Sequence, residues 1–282
     1  MSAPSLQELC CCMGQPVAGN PTQYMMEKAF DRARLDWRYL TFEISPEQFD
    51  DAMRGFRALG FRGANFTIPH KQAVLAYCDE LSEGARLIGA VNCVVRDGDK
   101  LVGHNTDGQG FLQSLRGAID PAGKRIVVLG AGGAARAIAV ELSLAGVEHL
   151  TIVNRTPERA EQLAAHLAEN TPAGAEFAAW EGDYPVSEDA DILVNATSIG
   201  LNDPDARVPV DTDSLRPALI AADVVFNPPL TRFLEEARTR GCTTLDGLGM
   251  LVNQGVIGFQ LWTGVDPDAE VMREAVEEFL GL

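Results

Sequence analysis

Short, almost wholly apolar runs alternate along this chain with longer stretches whose apolar residues recur at helical spacing. The first pattern predicts buried strands and the second amphipathic helices. Leu9–Met13 is such a run, ended by Gly14-Gln15-Pro16. Thr22 to about Leu35 reads as a helix with Met25, Met26, Ala29, Phe30 and Ala33 on one stripe and Thr22 as its N-cap. Trp37–Ile44 predicts a strand, Pro46 to about Leu59 a helix, Arg62–Thr67 a strand and Lys71 to about Cys78 a helix. A small-residue turn, Gly89-Ala90-Val91-Asn92, leads into strand Cys93–Arg96, and Asp97-Gly98 is a hairpin turn into strand Leu101–Gly103. The opening β-α-β-α-β order implies a mainly parallel sheet.

The same alternation continues after a helix that the segment His104–Gly110 opens and that carries Phe111, Leu112 and Leu115 on one face. Ile126–Leu129 reads as a buried parallel strand, Ala135 to about Ala145 as a helix and Leu150–Val153 as the next strand. Between the first strand and its helix lies Gly130-x-Gly132-x-x-Ala135. In a βαβ unit this turn lets backbone approach a pyrophosphate, which the N–H groups and dipole of the helix start then hold. An NAD site usually carries an acid at the end of the second strand, for the ribose 2′-hydroxyl. Here that position holds Asn154-Arg155-Thr156, with Arg159 a turn further on. An acid repels a 2′-phosphate and a guanidinium pairs with it, so the pattern points to NADP. Ala160–Leu167 continues as a helix, Asp191–Ala196 and Ala222–Phe226 as strands, Thr231 to about Arg240 as a helix and Thr243–Leu245 as a short strand. Helices Met250–Trp262 and Ala269–Leu280 close the chain.

The length of 282 residues gives room for one large or two medium domains. A net charge of −17 argues against nucleic acid and anionic membrane surfaces as partners. It leaves a small anionic substrate open, since that needs only a local positive site. No apolar run reaches the length of a membrane span, and the N-terminus lacks the basic-then-apolar order of a signal peptide. Cys10, Cys11 and Cys12 are consecutive, so in a strand they point to alternate faces and cannot converge on one metal. They read as small core residues; with Cys78, Cys93 and Cys242 they form no disulfide framework, which fits a cytoplasmic protein with no metal.

Two polar segments interrupt this plan. Asn65 and Thr67 share a face at a strand end, and Lys71 follows beside a helix start, where it suits an anionic or carbonyl substrate. Asp107 opens the next helix, where an acid also serves as a cap. In order along the chain stand Asn65-x-Thr67-x-Pro69-His70-Lys71, Gly89-Ala90-Val91-Asn92, Asn105-Thr106-Asp107-Gly108, the Gly130–Ala135 turn, Asn154-Arg155-Thr156, Asn195-Ala196-Thr197-Ser198-x-Gly200 and Gly247-Leu248-Gly249-Met250-Leu251-Val252-x-Gln254. With these motifs the chain resembles the shikimate dehydrogenase family, NADP-dependent oxidoreductases that reduce 3-dehydroshikimate reversibly to shikimate in aromatic amino acid and chorismate biosynthesis.

The resemblance implies an α/β fold: a Rossmann-type NADP-binding domain over residues 107–246, and a discontinuous α/β substrate domain over residues 1–106 onto which residues 247–282 pack back. It implies Lys71 and Asp107 as the catalytic pair, with Thr67, Asn92 and Gln254 on substrate hydroxyls. Substrate and cofactor would meet between the domains. Gly130, Ala131, Gly132, Gly133 and Ala134 would line the pyrophosphate, Asn154, Arg155, Thr156 and Arg159 the 2′-phosphate, and Thr197, Ser198, Gly247 and Met250 the rest of the cofactor. Two departures surround the substrate. Where the family usually has Ser-x-Ser-Pro for the substrate carboxylate, this chain has Asn20-Pro21-Thr22-Gln23; where it commonly has a tyrosine, this chain has Phe226. They open two alternatives, a quinate or aminoshikimate dehydrogenase and a ligand sensor without turnover. Keeping both Lys71 and Asp107 counts against the sensor. The expected partner is a small-molecule substrate, the protein being a monomer or homodimer.

Overall fold

The computed structural model describes residues 6–282; residues 1–5, where the N-terminal reading begins, lie outside the described residues. The chain forms two compact units, residues 1–106 with 254–282, and residues 107–253. The first begins with β1 (Glu8–Gly14), α1 (Thr22–Ala33), β2 (Trp37–Glu43), α2 (Phe49–Ala58), β3 (Gly63–Phe66) and α3 (His70–Ala73). It continues with β4 (Glu80–Leu81), α4 (Glu83–Ile88), β5 (Cys93–Asp97) and β6 (Lys100–His104). The six strands form one sheet in the order β2-β1-β3-β5-β6-β4. β1 lies parallel to β2 and β3, whereas β5 runs antiparallel to both β3 and β6. The Asp97-Gly98 turn accounts for the β5–β6 pairing, because a tight hairpin joins only antiparallel strands.

The second unit is more regular. α5 (Thr106–Arg116) is followed by β7 (Arg125–Leu129), α6 (Gly133–Leu144), β8 (His149–Asn154), α7 (Pro157–Asn170) and β9 (Gly174–Ala179). Next come β10 (Ile192–Asn195), β11 (Ile220–Asp223), α8 (Arg232–Thr239) and β12 (Thr243–Leu245). All six strands are parallel, in the order β12-β11-β10-β7-β8-β9. The order reverses between β7 and β10, and in open parallel sheets ligands bind at the carboxyl ends of the strands at such a switch point. α9 (Gly247–Thr263) and α10 (Ala269–Leu280) end the chain.

The closing helices complete the first core. Met272, Ala275 and Val276 of α10 are buried, at about 1.5–3 kcal/mol for each larger apolar side chain. Phe279 lies 6.1 Å from the Tyr24 ring of α1, and Arg32 bonds Asp268 at 3.0 Å. Trp262 of α9 lies over β3 and donates its indole N–H to the carbonyl of Val94 at 3.0 Å. Position 63 must therefore be glycine: a Cβ there would stand 2.0 Å from the Trp262 indole nitrogen. Cys10, Cys11 and Cys12 are core residues, as their place in an apolar strand predicts.

The structure departs from the sequence reading in five places. Thr22 is not the N-cap of α1; it is the first helical residue, and the side chain of Asn20 accepts its N–H at 2.9 Å. The strand expected over Ala222–Phe226 is Ile220–Asp223, so Phe226 lies beyond its end. The helix expected from Lys71 to Cys78 is one α turn followed by a 3₁₀ turn, Val74–Tyr77. β4, α4 and β9 lack the apolar runs that mark the other elements; β9 is an edge strand, mostly exposed. α9 begins at Gly247 and the units divide within it, after Asn253.

Candidate active site

In the first unit, β1 and β3 point their carboxyl ends the same way, so the loops after Gly14 and Phe66 leave from one edge. Two backbone bonds join them, Thr67 N–H to the Met13 carbonyl at 3.0 Å and Gln15 N–H to the Ile68 carbonyl at 2.9 Å. The Lys71 carbonyl accepts from Val91 N–H at 2.8 Å, tying α3 to the turn that carries Asn92. The Asn92 carbonyl accepts twice, from Phe66 N–H at 2.9 Å and from Asn65 Nδ2 at 3.1 Å. Its side chain reaches forward: Oδ1 accepts from Thr106 N–H at 2.6 Å, and Nδ2 donates to Thr106 Oγ1 at 3.0 Å. Thr67, Lys71 and Asn92 thus share one hydrogen-bonded frame, which ends on the residue before Asp107. Gln254 is buried in the same unit, and Asn20 is half-buried in the turn before α1.

The sequence reading missed what stands behind this frame. Tyr39 of β2 is fully buried and donates its hydroxyl to Asn65 Oδ1 at 2.7 Å. Burial pushes the Tyr39 phenol well above its ordinary value, so it remains a donor. Asn105 Nδ2 holds the Ala90 carbonyl at 3.1 Å. Only long-range pairing brings these groups together, and nothing local marks Tyr39. Burial also raises the Cys12 thiol, to about 11, so it stays protonated beside Tyr39 and Lys71. His70 faces away from this chemistry. It is buried, stacks on Phe49 at 4.2 Å between ring centroids and bonds the Ile44 carbonyl at 2.7 Å.

The second unit presents Gly130 at the end of β7 with φ +109°, a conformation that favours glycine. A Cβ there would approach the Ala196 carbonyl oxygen and the Thr197 methyl to 3.1 Å, so the β7 and β10 ends are close-packed. Gly132 is the N-cap of α6 and supplies no side-chain cap; no acid lies in the first turn. Gly132 and Gly133 are exposed, with open space where a Cβ would stand, flanked by Ala131 and Ala134. At the end of β8, Asn154 Nδ2 closes the turn onto the Thr156 carbonyl at 2.9 Å, leaving Arg155, Thr156 and Arg159 exposed. Arg155, Trp180, Ile199 and Arg207 line a hollow of about 300 Å³, in which Arg207 is held by both oxygens of Asp183. These residues fit a phosphorylated dinucleotide: N–H groups at an open helix start, and Arg155 in place of the usual acid just past the end of β8.

Beyond β10 a buried polar cluster shapes the loop. Asn195 Oδ1 accepts from Thr197 Oγ1 at 2.7 Å, and Asn195 Nδ2 donates to Asp223 Oδ1 at 3.0 Å. Asp223 also accepts from Val225 N–H and, at 2.7 Å, from Thr231 Oγ1. Burial raises the Asp223 carboxyl to about 6 despite these donors. Thr197 therefore stands on a rigid base with Ser198 exposed after it. Phe226 is half-buried three residues past Asp223, Gly247 is buried against the Val225 carbonyl, and Met250 is half-buried in α9.

Three family models match this chain. The shikimate dehydrogenase substrate-binding domain covers residues 12–94, shikimate / quinate 5-dehydrogenase residues 114–200 and the shikimate 5′-dehydrogenase C-terminal domain residues 247–277. A curated shikimate dehydrogenase (NADP(+)) of Methanopyrus kandleri is 46% identical, over 95% of this chain and 94% of its own. The shikimate 5-dehydrogenase of Thermus thermophilus, solved with NADP(H) and shikimate, superposes with TM-score 0.86 at 38% identity, over 97% of this chain and all of that one. A ligand-free 5-ketofructose reductase from a Gluconobacter strain superposes with TM-score 0.96 at 51% identity, over 98% and 99% of the two chains. By sequence, fold and order of motifs, the chain belongs to the shikimate dehydrogenase family.

Proposed function

We propose that this chain catalyses the reversible NADPH-dependent reduction of 3-dehydroshikimate to shikimate, a step of aromatic amino acid and chorismate biosynthesis. The observation that carries the reading is the frame at the carboxyl edge of the first sheet, which fixes Lys71, Thr67 and Asn92 together. Bound NADPH supplies a hydride to the carbonyl carbon and leaves as NADP⁺. Lys71, as ammonium, gives its proton to the carbonyl oxygen and stabilises the charge that develops there. Asp107 orients that ammonium. Thr67, Asn92 and Gln254 bond the ring hydroxyls, Asn20 and Thr22 face the remaining polar group, and Phe226 offers an apolar wall where a hydroxyl would otherwise stand.

On the cofactor side, Gly130, Ala131, Gly132, Gly133 and Ala134 hold the pyrophosphate at the start of α6. Asn154, Arg155, Thr156 and Arg159 receive the 2′-phosphate, and Thr197, Ser198, Gly247 and Met250 line the remaining length. The test is the initial rate of NADP⁺ reduction with shikimate, beside quinate and NAD⁺. Lys71→Ala should lower turnover by about 10²–10⁴-fold, the usual cost of losing a general acid. A loss of less than about threefold refutes the role given to Lys71. A second reading, reduction of a keto sugar, is favoured by the 51% identity to the 5-ketofructose reductase.

A further inference from the structure

The turn that leads into α1 has an unusual donor and acceptor inventory for a site facing a ring acid. From Cys12 to Met26 the chain carries no charged side chain. The start of α1 is a place where N–H groups would attract an anion. The chain has already filled it. Asn20 Oδ1 accepts the Thr22 N–H at 2.9 Å, so an amide oxygen, with its partial negative charge, stands at the helix mouth. Next to that oxygen the turn offers the Asn20 NH₂ group and the Thr22 hydroxyl. The first charge beyond the turn is negative: Glu27 lines, with Asn20, Gln23, Tyr24 and Thr41, a hollow of about 400 Å³. The Glu27 carboxylate is anchored there by the backbone N–H of Tyr39.

Just beyond β3 this edge carries Lys71, which the reaction itself uses, and Lys28, over the Tyr24 ring, pairs with Glu278. His70 is turned into the core. Arg57 and Arg62 of the same unit bond acids, Asp79 and Glu8, and Arg96 bonds the carbonyls of Phe61 and Arg57. Where the family's two serines offer a carboxylate rotatable hydroxyl donors, this turn sets the Asn20 amide oxygen, which can only accept, at the helix mouth. A hydroxyl can accept from the Asn20 NH₂ group and donate to the Thr22 oxygen, and it loses little hydration on entering.

We propose that the chain has a second substrate class, uncharged polyhydroxylated ketones, with Asn20 and Thr22 reading a hydroxyl where a ring acid would place its carboxylate. This rests on the hydride-transfer reading above and leaves that chemistry unchanged. The carbonyl carbon gains a hydride and its oxygen a proton from Lys71, giving a secondary alcohol while NADPH is oxidised to NADP⁺.

The experiment compares kcat/KM for NADPH oxidation with 5-ketofructose and with 3-dehydroshikimate, and for NADP⁺ reduction with shikimate and its methyl ester. The neutral ketone should reach at least 1% of the 3-dehydroshikimate value, and the ester should stay within tenfold of the acid. The double variant Asn20→Ser/Thr22→Ser should move the ratio at least tenfold towards the acid, its NADPH affinity and melting temperature serving as fold controls. A neutral ketone below 1%, an ester loss above tenfold, or an unchanged ratio in a folded double variant overturns the proposal. If no carbonyl substrate is reduced by protein that binds NADPH, the hydride-transfer reading itself fails, which is a separate result.

Discussion

Replacing Tyr39 by Phe removes one oxygen from the core and nothing else, so its consequences can be worked out closely. The ring stays packed and no cavity of side-chain size forms. Asn65 Oδ1, which accepts the Tyr39 hydroxyl at 2.7 Å in a buried site, loses that partner. A buried acceptor left without its donor costs about 1–3 kcal/mol. At about 2–4 °C per kcal/mol for a domain of some 150–250 residues, the melting temperature should fall by roughly 2–12 °C. The functional effect follows the same chain of bonds. The Asn65 amide no longer has a fixed orientation, and its Nδ2 bond to the Asn92 carbonyl weakens. Asn92 in turn positions Thr106, next to Asp107. A frame loosened by about 1.4 kcal/mol in the transition state lowers kcat/KM about tenfold. The assay is steady-state kinetics on shikimate beside a thermal melt and an NADP⁺ titration. NADP⁺ affinity should be unchanged, because Tyr39 lies in the first unit. A Tyr39→Phe protein with wild-type melting temperature and wild-type kcat/KM would refute the view that this hydroxyl supports the site.

Two further outcomes test other parts of the molecule. Arg155→Ala should raise the KM for NADPH by about 10–100-fold, the worth of a charge-assisted bond to phosphate, and leave the KM for NADH within about twofold; an unchanged ratio between the two cofactors removes Arg155 from the 2′-phosphate. Asp223 has a folded-state value of about 6, above its ordinary 3.8, so the folded protein holds a proton that the unfolded chain has lost between those pH values. Its contribution to stability is therefore fully present below about pH 4, falls as pH rises through 6 and is constant beyond, a change of about 3 kcal/mol at 1.36 kcal/mol per unit. Carbon-detected NMR of its carboxyl should give a midpoint near 6, and a midpoint below 4.5 contradicts the burial argument.

How much of this was legible in the sequence depends on the range of the physics behind each feature. The second sheet was readable almost strand by strand, because a parallel strand covered on both faces must be apolar throughout and shows as an unbroken run. Ile126–Leu129 and Leu150–Val153 are such runs. β9 escaped because it is an edge strand: little of Gly174–Ala179 is buried, so nothing required an apolar run there. The Asn20–Thr22 cap was misread for a different reason. Either residue can cap a helix, and the choice depends on where α1 starts, which is set by its packing in the first core.

The candidate site divides along the same line. Lys71, Asp107 and the Gly130 turn carry local signatures, a cation or acid at an element boundary and glycines at a strand-to-helix junction. Tyr39 and Asp223 carry none, since each acts through a partner far away in sequence: Tyr39 through Asn65, Asp223 through Asn195. Such residues become recognisable only once the strand order is known, because β1 lies between β2 and β3 and spaces Tyr39 from Asn65 by one strand. A long side chain is needed to cross that interval, which is a physical reason for a tyrosine at position 39 and a reason its phenylalanine variant should keep the fold while loosening the frame.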